Sequence, residues 1–214
     1  MDKLIIVGAG DLGREVLQWA LQSDDQNKFW SVAGFLDDNH ESLEGKDVGY
    51  PILGRIRDWR PKTDEKYIVT IRTPKQLEKI VGYLADNNAQ FVNVIHRSVI
   101  IASTVNLGQG VILCPNVVVS DHANIDSHTV VNIGSCIGHD VKIGEFSTIS
   151  SLCDITGDVT LGKNVFLGSK VSIVPRCKIG DSAFLCAGSV VMNNVKAMTR
   201  VMGIPAKKFE VRKG

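Results

Sequence analysis

The sequence is poor in the features that mark several large classes of protein. It has no excess of either charge: 24 Lys and Arg stand against 23 Asp and Glu in 214 residues, which speaks against a nucleic-acid or polyanion partner. No apolar run approaches the ~20 residues a bilayer-spanning helix needs. The opening Lys3-Leu4-Ile5-Ile6-Val7 is too short, and too soon broken by Gly8, to act as a secretory signal. No membrane insertion is therefore expected, and a cytoplasmic location is. The five cysteines (Cys114, Cys136, Cys153, Cys177, Cys186) form no CxxC pair and no zinc-type spacing with histidine. They are expected to be small apolar side chains in a reducing compartment, with no disulfide and no metal. Aromatic residues are scarce at 6 %, and nine of the 13 precede residue 100. Large rings suit a packed α/β core, whereas a narrow coil has little room for them. Their uneven spread divides the chain into 1–96 and 97–214.

The first region alternates strand and helix signals. Leu4–Val7, Val32–Leu36, Tyr67–Ile71 and Phe91–Ile95 read as strands, and 12–21 and 75–87 as amphipathic helices, the second turning Leu77, Ile80, Val81 and Leu84 inward. This alternation predicts a parallel, Rossmann-like sheet. Between the first strand and first helix lies Gly8-Ala9-Gly10-Asp11-Leu12-Gly13, a loop that suits an anion at a helix N-terminus. Alone, that loop also fits a nicotinamide or flavin dinucleotide, but the chain offers no separate catalytic domain for an oxidoreductase.

The second region is a repeat of six. From Ile101 to Val191, every sixth residue is Ile, Leu or Val, sixteen in succession with no slip. The fourth residue after each is small or β-branched, as at Val105, Ala123, Ser135, Cys153 and Val171, and Gly, Asn, Asp and Ser crowd the intervening corners. Three hexads close one triangular coil of 18 residues, so sixteen make about five coils at the ~4.8 Å spacing of paired strands. A repeat with no activity of its own, a scaffold coil, is one reading of this pattern.

Residues 18 apart share a column. His139 stands on a corner between Ile137 and Val141, in the column Asp121, His139, Gly157. Glycine above it leaves space for a ligand and exposes a backbone N–H, and an imidazole beside a cleft suits a general base. Asp140 follows and would raise its basicity. His122 is stacked beneath Asp140 and reads either as a second functional imidazole or as a corner residue held by that carboxylate. Of the three outward columns, Asn106, Asn124, Lys142, Thr160 and Lys178 is polar, one is mixed, and Ile112, Val130, Thr148, Phe166 and Phe184 is apolar. An apolar exterior stripe predicts a contact surface, here a homotrimer closed head to tail.

The run Asn132-Ile133-Gly134-Ser135-Cys136-Ile137-Gly138-His139-Asp140-Val141-Lys142-Ile143-Gly144-Glu145-Phe146, the glycine loop, Phe35-Leu36-Asp37-Asp38 and the closing Val201-Met202-Gly203-Ile204-Pro205-Ala206-Lys207 together resemble one group of enzymes. These are the sialic-acid O-acetyltransferases and the bacterial N-acetyltransferases of nucleotide-linked 4-amino sugars, the bacillosamine and perosamine enzymes among them. The likeness spans nearly the whole chain. It implies an α/β half-Rossmann domain followed by a left-handed parallel β-helix, a hand that general crossover rules would not favour. It implies His139 as catalytic base with Asp140 as its acidic helper. Thr148, Gly157, Ser169 and Ala187 would lie along acetyl-CoA. Gly10, Asp11 and Leu12 would lie near the sugar phosphate, with Asp37 and Asp38 at the nucleotide end. The chain departs from the group at Thr148, where the bacillosamine enzymes carry a second histidine, and at Leu12 and Arg72, where the group usually has histidine and glycine. The expected activity is acetyl-CoA-dependent N-acetylation of a nucleotide-linked amino sugar by direct transfer, in a trimer with shared sites. O-acetylation of a sialic or related acid is the nearest alternative, and a non-catalytic sugar-nucleotide-binding scaffold the alternative of another class.

Overall fold

The computed structural model describes residues 1–209. The chain divides into two compact units, Met1–Arg97 and one beginning at Ser98.

The first unit is a five-stranded parallel sheet in the order β3-β2-β1-β4-β5. Its strands are β1 (Asp2–Val7), β2 (Trp30–Leu36), β3 (Ile52–Gly54), β4 (Glu65–Val69) and β5 (Gln90–Phe91), with helices α1 (Asp11–Leu21) and α2 (Pro74–Asp86). Leu4, Ile5, Ile6 and Val7 are all buried, as a strand covered on both faces requires. Helix α1 buries Leu12, Val16, Leu17, Trp19 and Ala20. Helix α2 opens with a proline in its first turn and buries Leu77, Val81 and Leu84, with Ile80 only half-buried. The chain leaves β1 between β2 and β4, the switch point where open α/β sheets bind ligands.

Three details differ from the expectation. The strand Ile52–Gly54 and a 3₁₀ turn at Ile56–Asp58 follow β2 unannounced; at three residues each they are too short to show a period. The segment 91–95 resolves into Gln90–Phe91 and a separate Val94–Ile95. Strand β4 begins at Glu65 rather than Tyr67, because the buried Glu65 carboxylate accepts hydrogen bonds from Trp59 Nε1 (3.1 Å), the Lys62 N–H (3.0 Å) and the Tyr67 hydroxyl. Burial, with the Glu65 carboxylate beside it, pushes the Tyr67 hydroxyl pKa upward. The strand ends early because Thr70 turns its Oγ1 back to donate to the carbonyls of Val7 and Gly8, each at 2.9 Å.

The second unit is the expected left-handed parallel β-helix. Two-residue strands build three sheets, and the parallel strand pairs between Ile100 and Val191 match residues 18 apart, as Cys136 with Asp154 and Ile137 with Ile155. Fourteen of the sixteen repeat residues are at most 2 % exposed. The exceptions, Ile101 and Leu107, belong to the first coil. Polar side chains inside the coil are small and answered locally: Thr129, Ser135 and Ser147 donate to the carbonyls of Gly144 (3.3 Å), Ser150 (2.9 Å) and Gly162 (3.1 Å), each fifteen residues on.

Every corner from Gly110 to Gly188 has its second residue at positive φ, once every six residues. Glycine, asparagine, aspartate and serine were expected there, but Phe146, Leu152, Lys170 and Arg176 adopt the same conformation. Left-handed backbone costs such residues roughly 1–2 kcal/mol each. The cost is offset by a hydrogen bond to the coil below: Phe146 N–H to Ser127 O (3.1 Å), Leu152 to Ile133 O (2.9 Å), Lys170 to Ser151 O (3.0 Å) and Arg176 to Gly157 O (3.1 Å).

The apolar outward column requires a correction. Ile112 and Val130 are 0 % and 6 % exposed, already covered within the chain itself. Only Thr148, Phe166 and Phe184 remain half-exposed. The two rings stack with centroids 4.7 Å apart, and the Arg200 guanidinium lies 5.2 Å over Phe184, because the strand Arg200–Met202 extends the same sheet. The stripe is shorter than five coils and is capped by a cation.

Candidate active site

In the coil, the corner of His139 and Asp140 is clamped from both sides. Asp140 N–H donates to Asp121 O below, and His139 O accepts from Asp158 N–H above, each at 3.0 Å. His139 Nδ1 lies 2.9 Å from Asp140 Oδ2. With Nδ1–H committed to the carboxylate, Nε2 keeps its lone pair free. The imidazole is 62 % exposed, hence open to a substrate. Its pKa is raised, first by the hydrogen bond to Asp140, which outweighs the opposing effect of desolvation, then by the charges of Asp140, Asp158 and Asp121.

The space above His139 is not vacant, as the column had suggested. A Cβ built on Gly157 would lie within 3.0 Å of the imidazole Nε2, Cε1 and Cδ2. The imidazole itself occupies the space that glycine leaves. Gly157 is thus required for the ring to lie flat against the corner, and its N–H donates to no protein atom among the described residues. An acceptor nitrogen and an unpaired backbone donor are brought side by side.

His122 takes a different partner from the one its column suggested. Its Nδ1 pairs with Asp121 Oδ2 at 2.8 Å, not with Asp140. Asp121 also accepts from the Thr104 hydroxyl, and these two bonds, Thr104's first, hold its carboxyl below the usual range. His122 is a corner residue held by its own neighbour. Burial lowers the pKa of His128 to about 4, where it stacks on Phe146 with centroids 5.4 Å apart; it is a packed core histidine.

The remaining coil candidates lie apart. Ser169 and Ala187 share an exposed corner with Ser151, and Thr148 lies on the flat that carries Phe166 and Phe184. The corner of His139 and Gly157 is a different one, and of Thr148, Gly157, Ser169 and Ala187 it is Gly157 that lies against the imidazole.

In the first unit, Gly10, Asp11, Leu12 and Asp37 line one cleft of about 270 Å³ together with Gly8, Thr70, Ile71, Arg72, Thr73 and Gln76. Gly8 has φ +103°, and a Cβ there would press on Ile71 and Thr70. A Cβ on Gly13 would strike the Gly8 carbonyl, so glycine lets α1 close onto β1. A Cβ on Gly10 meets nothing within 4 Å, leaving that backbone open to a ligand. The two aspartates part company. Asp37 accepts from Ala9 N–H (2.7 Å) and Asn39 N–H (2.8 Å), bracing the loop from inside the cleft. Asp38 does not line the cleft and pairs with Arg57 at 3.0 Å. Burial pushes its carboxyl up, but the Arg57 hydrogen bonds outweigh this and hold it below the usual range. Thr70, Thr73 and Gln76 had no motif to mark them; they reach the cleft because β4 ends, and α2 begins, beside the end of β1.

Known proteins were compared with this chain. Residues 3–84 match the PglD N-terminal domain and residues 158–196 the bacterial transferase hexapeptide, six repeats. The chain is similar to the GDP-perosamine N-acetyltransferase of Escherichia coli O157:H7, 27 % identical over 215 residues, covering 96 % of this chain and 95 % of that one. Its fold is similar to that of PerB from Caulobacter crescentus, solved with CoA and GDP-perosamine: TM-score 0.88, 24 % identity, 98 % of each chain. It is also similar to the acetyltransferase domain of PglB from Neisseria gonorrhoeae, solved with acetyl coenzyme A: TM-score 0.87, 22 % identity, 97 % of this chain and 98 % of that one. Likeness to these two structures at such identity establishes the fold.

Proposed function

Because this chain joins a PglD N-terminal domain to the hexapeptide repeats of bacterial transferases, we propose that it is an acetyltransferase that moves the acetyl group of acetyl-CoA onto the amine of a nucleotide-linked sugar. One observation carries the chemistry. His139 has Nδ1 fixed by Asp140 and Nε2 free, beside the unpaired N–H of Gly157. The acceptor amine attacks the thioester carbonyl while Nε2 takes its proton. The tetrahedral oxyanion accepts from Gly157 N–H, a donor already in place before charge develops. Collapse breaks the C–S bond, and the imidazolium returns its proton to the departing thiolate. No covalent acyl-enzyme intervenes. Asp140 is the positioning residue that fixes the tautomer.

The relative from Escherichia coli, similar over nearly its whole length, is an N-acetyltransferase of GDP-perosamine, which supports a nucleotide-linked 4-amino sugar as acceptor here. Gly10, Asp11 and Leu12 would lie near its sugar phosphate and Asp37 at its nucleotide end, with Asp38 fixing the adjoining loop through Arg57. Acetyl-CoA would lie along the coil against Gly157, Ser169, Ala187 and Thr148. Since these stand on different faces of one chain, we place the site between copies of a homotrimer, in the cytoplasm. The half-exposed Thr148, Phe166 and Phe184 support that contact.

Incubation with acetyl-CoA and GDP- and UDP-linked 4-amino sugars, read by mass spectrometry, should show the gain of one acetyl group. Transfer to free sialic acid in their place, or to nothing, would overturn the acceptor. Phe166→Glu with Phe184→Glu should abolish trimers and activity together; a wild-type monomer by light scattering, or a fully active monomeric double variant, would refute the shared site.

A further inference from the structure

Two glycines meet at the backbone donor of the candidate site. A Cβ on Gly138 would lie 2.8 Å from the Gly157 nitrogen, 2.8 Å from the Thr156 carbonyl carbon and 3.0 Å from the Ile155 oxygen. A side chain at 138 would therefore push the peptide joining Thr156 to Gly157 out of place, since packed backbone yields when atoms are forced into it. Gly138 itself draws that strand close, its N–H donating to Ile155 O at 2.7 Å. The His139 imidazole lies against the same peptide at Gly157, where a Cβ would also collide. The donor is thus set between two places that admit no side chain.

The coil as such makes no such demand. On this edge the residue after the inward repeat position reads Ala102, Ser120, Gly138, Thr156, Val174 and Met192. Its one glycine falls in the coil directly beneath Gly157. We propose that Gly138 is a positioning residue for acetyl transfer, its missing side chain letting Gly157 settle where its N–H meets the oxyanion. The inference rests on the chemistry proposed above and adds a residue to it. Gly138 acts through Gly157 and takes no part in the pairing of His139 Nδ1 with Asp140 Oδ2. A methyl group at 138 therefore displaces the donor and leaves the base with its partner.

The test compares Gly138→Ala with Gly144→Ala in the full chain, using acetyl-CoA and the GDP- and UDP-linked 4-amino sugars. A Cβ on Gly144 would meet the backbone of Gly162 and Lys163 at 2.7 to 2.8 Å. It crowds the coil in the same way, at a corner that carries no candidate residue. Gly138→Ala should lower kcat roughly tenfold to a hundredfold, the cost of a misaligned oxyanion donor. Both KM values and the pH of the rising limb should hold. Gly144→Ala should stay within about twofold of wild-type kcat, since it touches no donor of the reaction, and the two variants should melt alike. Wild-type kcat in Gly138→Ala overturns the inference, as does an equal loss in Gly144→Ala. So does a Gly138→Ala that fails to fold while Gly144→Ala folds, which would assign Gly138 to the coil alone. Acetyl transfer by the wild type with an unimpaired Gly138→Ala sinks only this role, whereas a wild type that acetylates none of the amino sugars sinks the proposed function with it.

Discussion

The two units present their functional groups in opposite ways. In the sheet unit the candidates hang from loops at the carboxyl ends of β1, β2 and β4, and each owes its place to a different tertiary contact: Ala9 to Asp37, Thr70 to the carbonyls of Val7 and Gly8. In the coil the candidates are fixed by a ladder that repeats every 18 residues, and His139 is held by the same two backbone bonds that hold each corner from Ser127-His128 to Ser169-Lys170. A loop site can be tuned by one substitution at a distance. A ladder site tolerates change at any single corner but depends on what stands directly above and below.

That contrast can be broken from its strongest point downwards. His139→Ala should lower turnover by about 100-fold or more, the usual worth of a general base, with an unchanged melting temperature because the imidazole is exposed and the ladder is backbone. Turnover within a few-fold of wild type in folded protein would remove His139 from the chemistry. Gly157→Ala places a methyl group where the imidazole lies and should cost roughly tenfold to a hundredfold in kcat through displacement of the base. Wild-type kinetics would show that the ring need not lie against the corner.

Asp37→Ala removes the brace on Ala9 and should raise the KM for the nucleotide sugar by roughly tenfold while that for acetyl-CoA holds, since a charged acceptor has been lost. Asp38→Ala, which frees only Arg57 outside the cleft, should do less. Equal effects on both substrates would mean that one of the two sites is misplaced. Asp140→Asn tests the pH dependence. His139 must be neutral to act as base, and Asp140 is the first cause of its raised pKa. Wild-type kcat/KM should therefore rise through a pH above the ordinary imidazole value of 6.5, and the variant's rising limb should move to lower pH. A shift to higher pH, or none, contradicts the pairing. The smallest effect belongs to the coil interior. Ser147→Ala loses the bond to Gly162 O and the acceptor for Val165 N–H, and should cost about 1 kcal/mol in chemical unfolding with kinetics intact.

How much of this was legible differs between the units for the same reason. The sixteen-fold run of Ile, Leu and Val fixes which residue faces inward and which residues share a column, because a strand pair must repeat at 18 residues once three hexads close a turn. The columns therefore placed His139 below Gly157 correctly. They failed at the next level of detail. The column read Gly157 as space for a ligand, where the imidazole fills it, and gave His122 to Asp140, where Asp121 holds it. Column position is a property of the backbone, and side-chain direction is a choice among rotamers. In the sheet unit, Glu65 lay outside the expected strand Tyr67–Ile71 but belongs to β4. Its burial beside Trp59 and Tyr67 depends on partners that no local period records.

The sequence by itself determined the coil, its register and the identity of its corners, because a strict period admits one way of burying one apolar residue in six. It also determined the strand–loop–helix that opens the chain, because Gly8, Gly10 and Gly13 are spaced for it. Only the tertiary structure decided that Phe146, Leu152, Lys170 and Arg176 take left-handed backbone, since the bond to the coil below outweighs a local preference against it. It alone decided that Ile112 and Val130 are covered within the chain while Phe166 and Phe184 are only half-buried, and that Arg72 meets Glu15 at 4.0 Å while Arg14 and Arg57 hold their aspartates at 2.5 and 3.0 Å. Those outcomes depend on which side chains meet across the fold, and distance along the chain does not encode that.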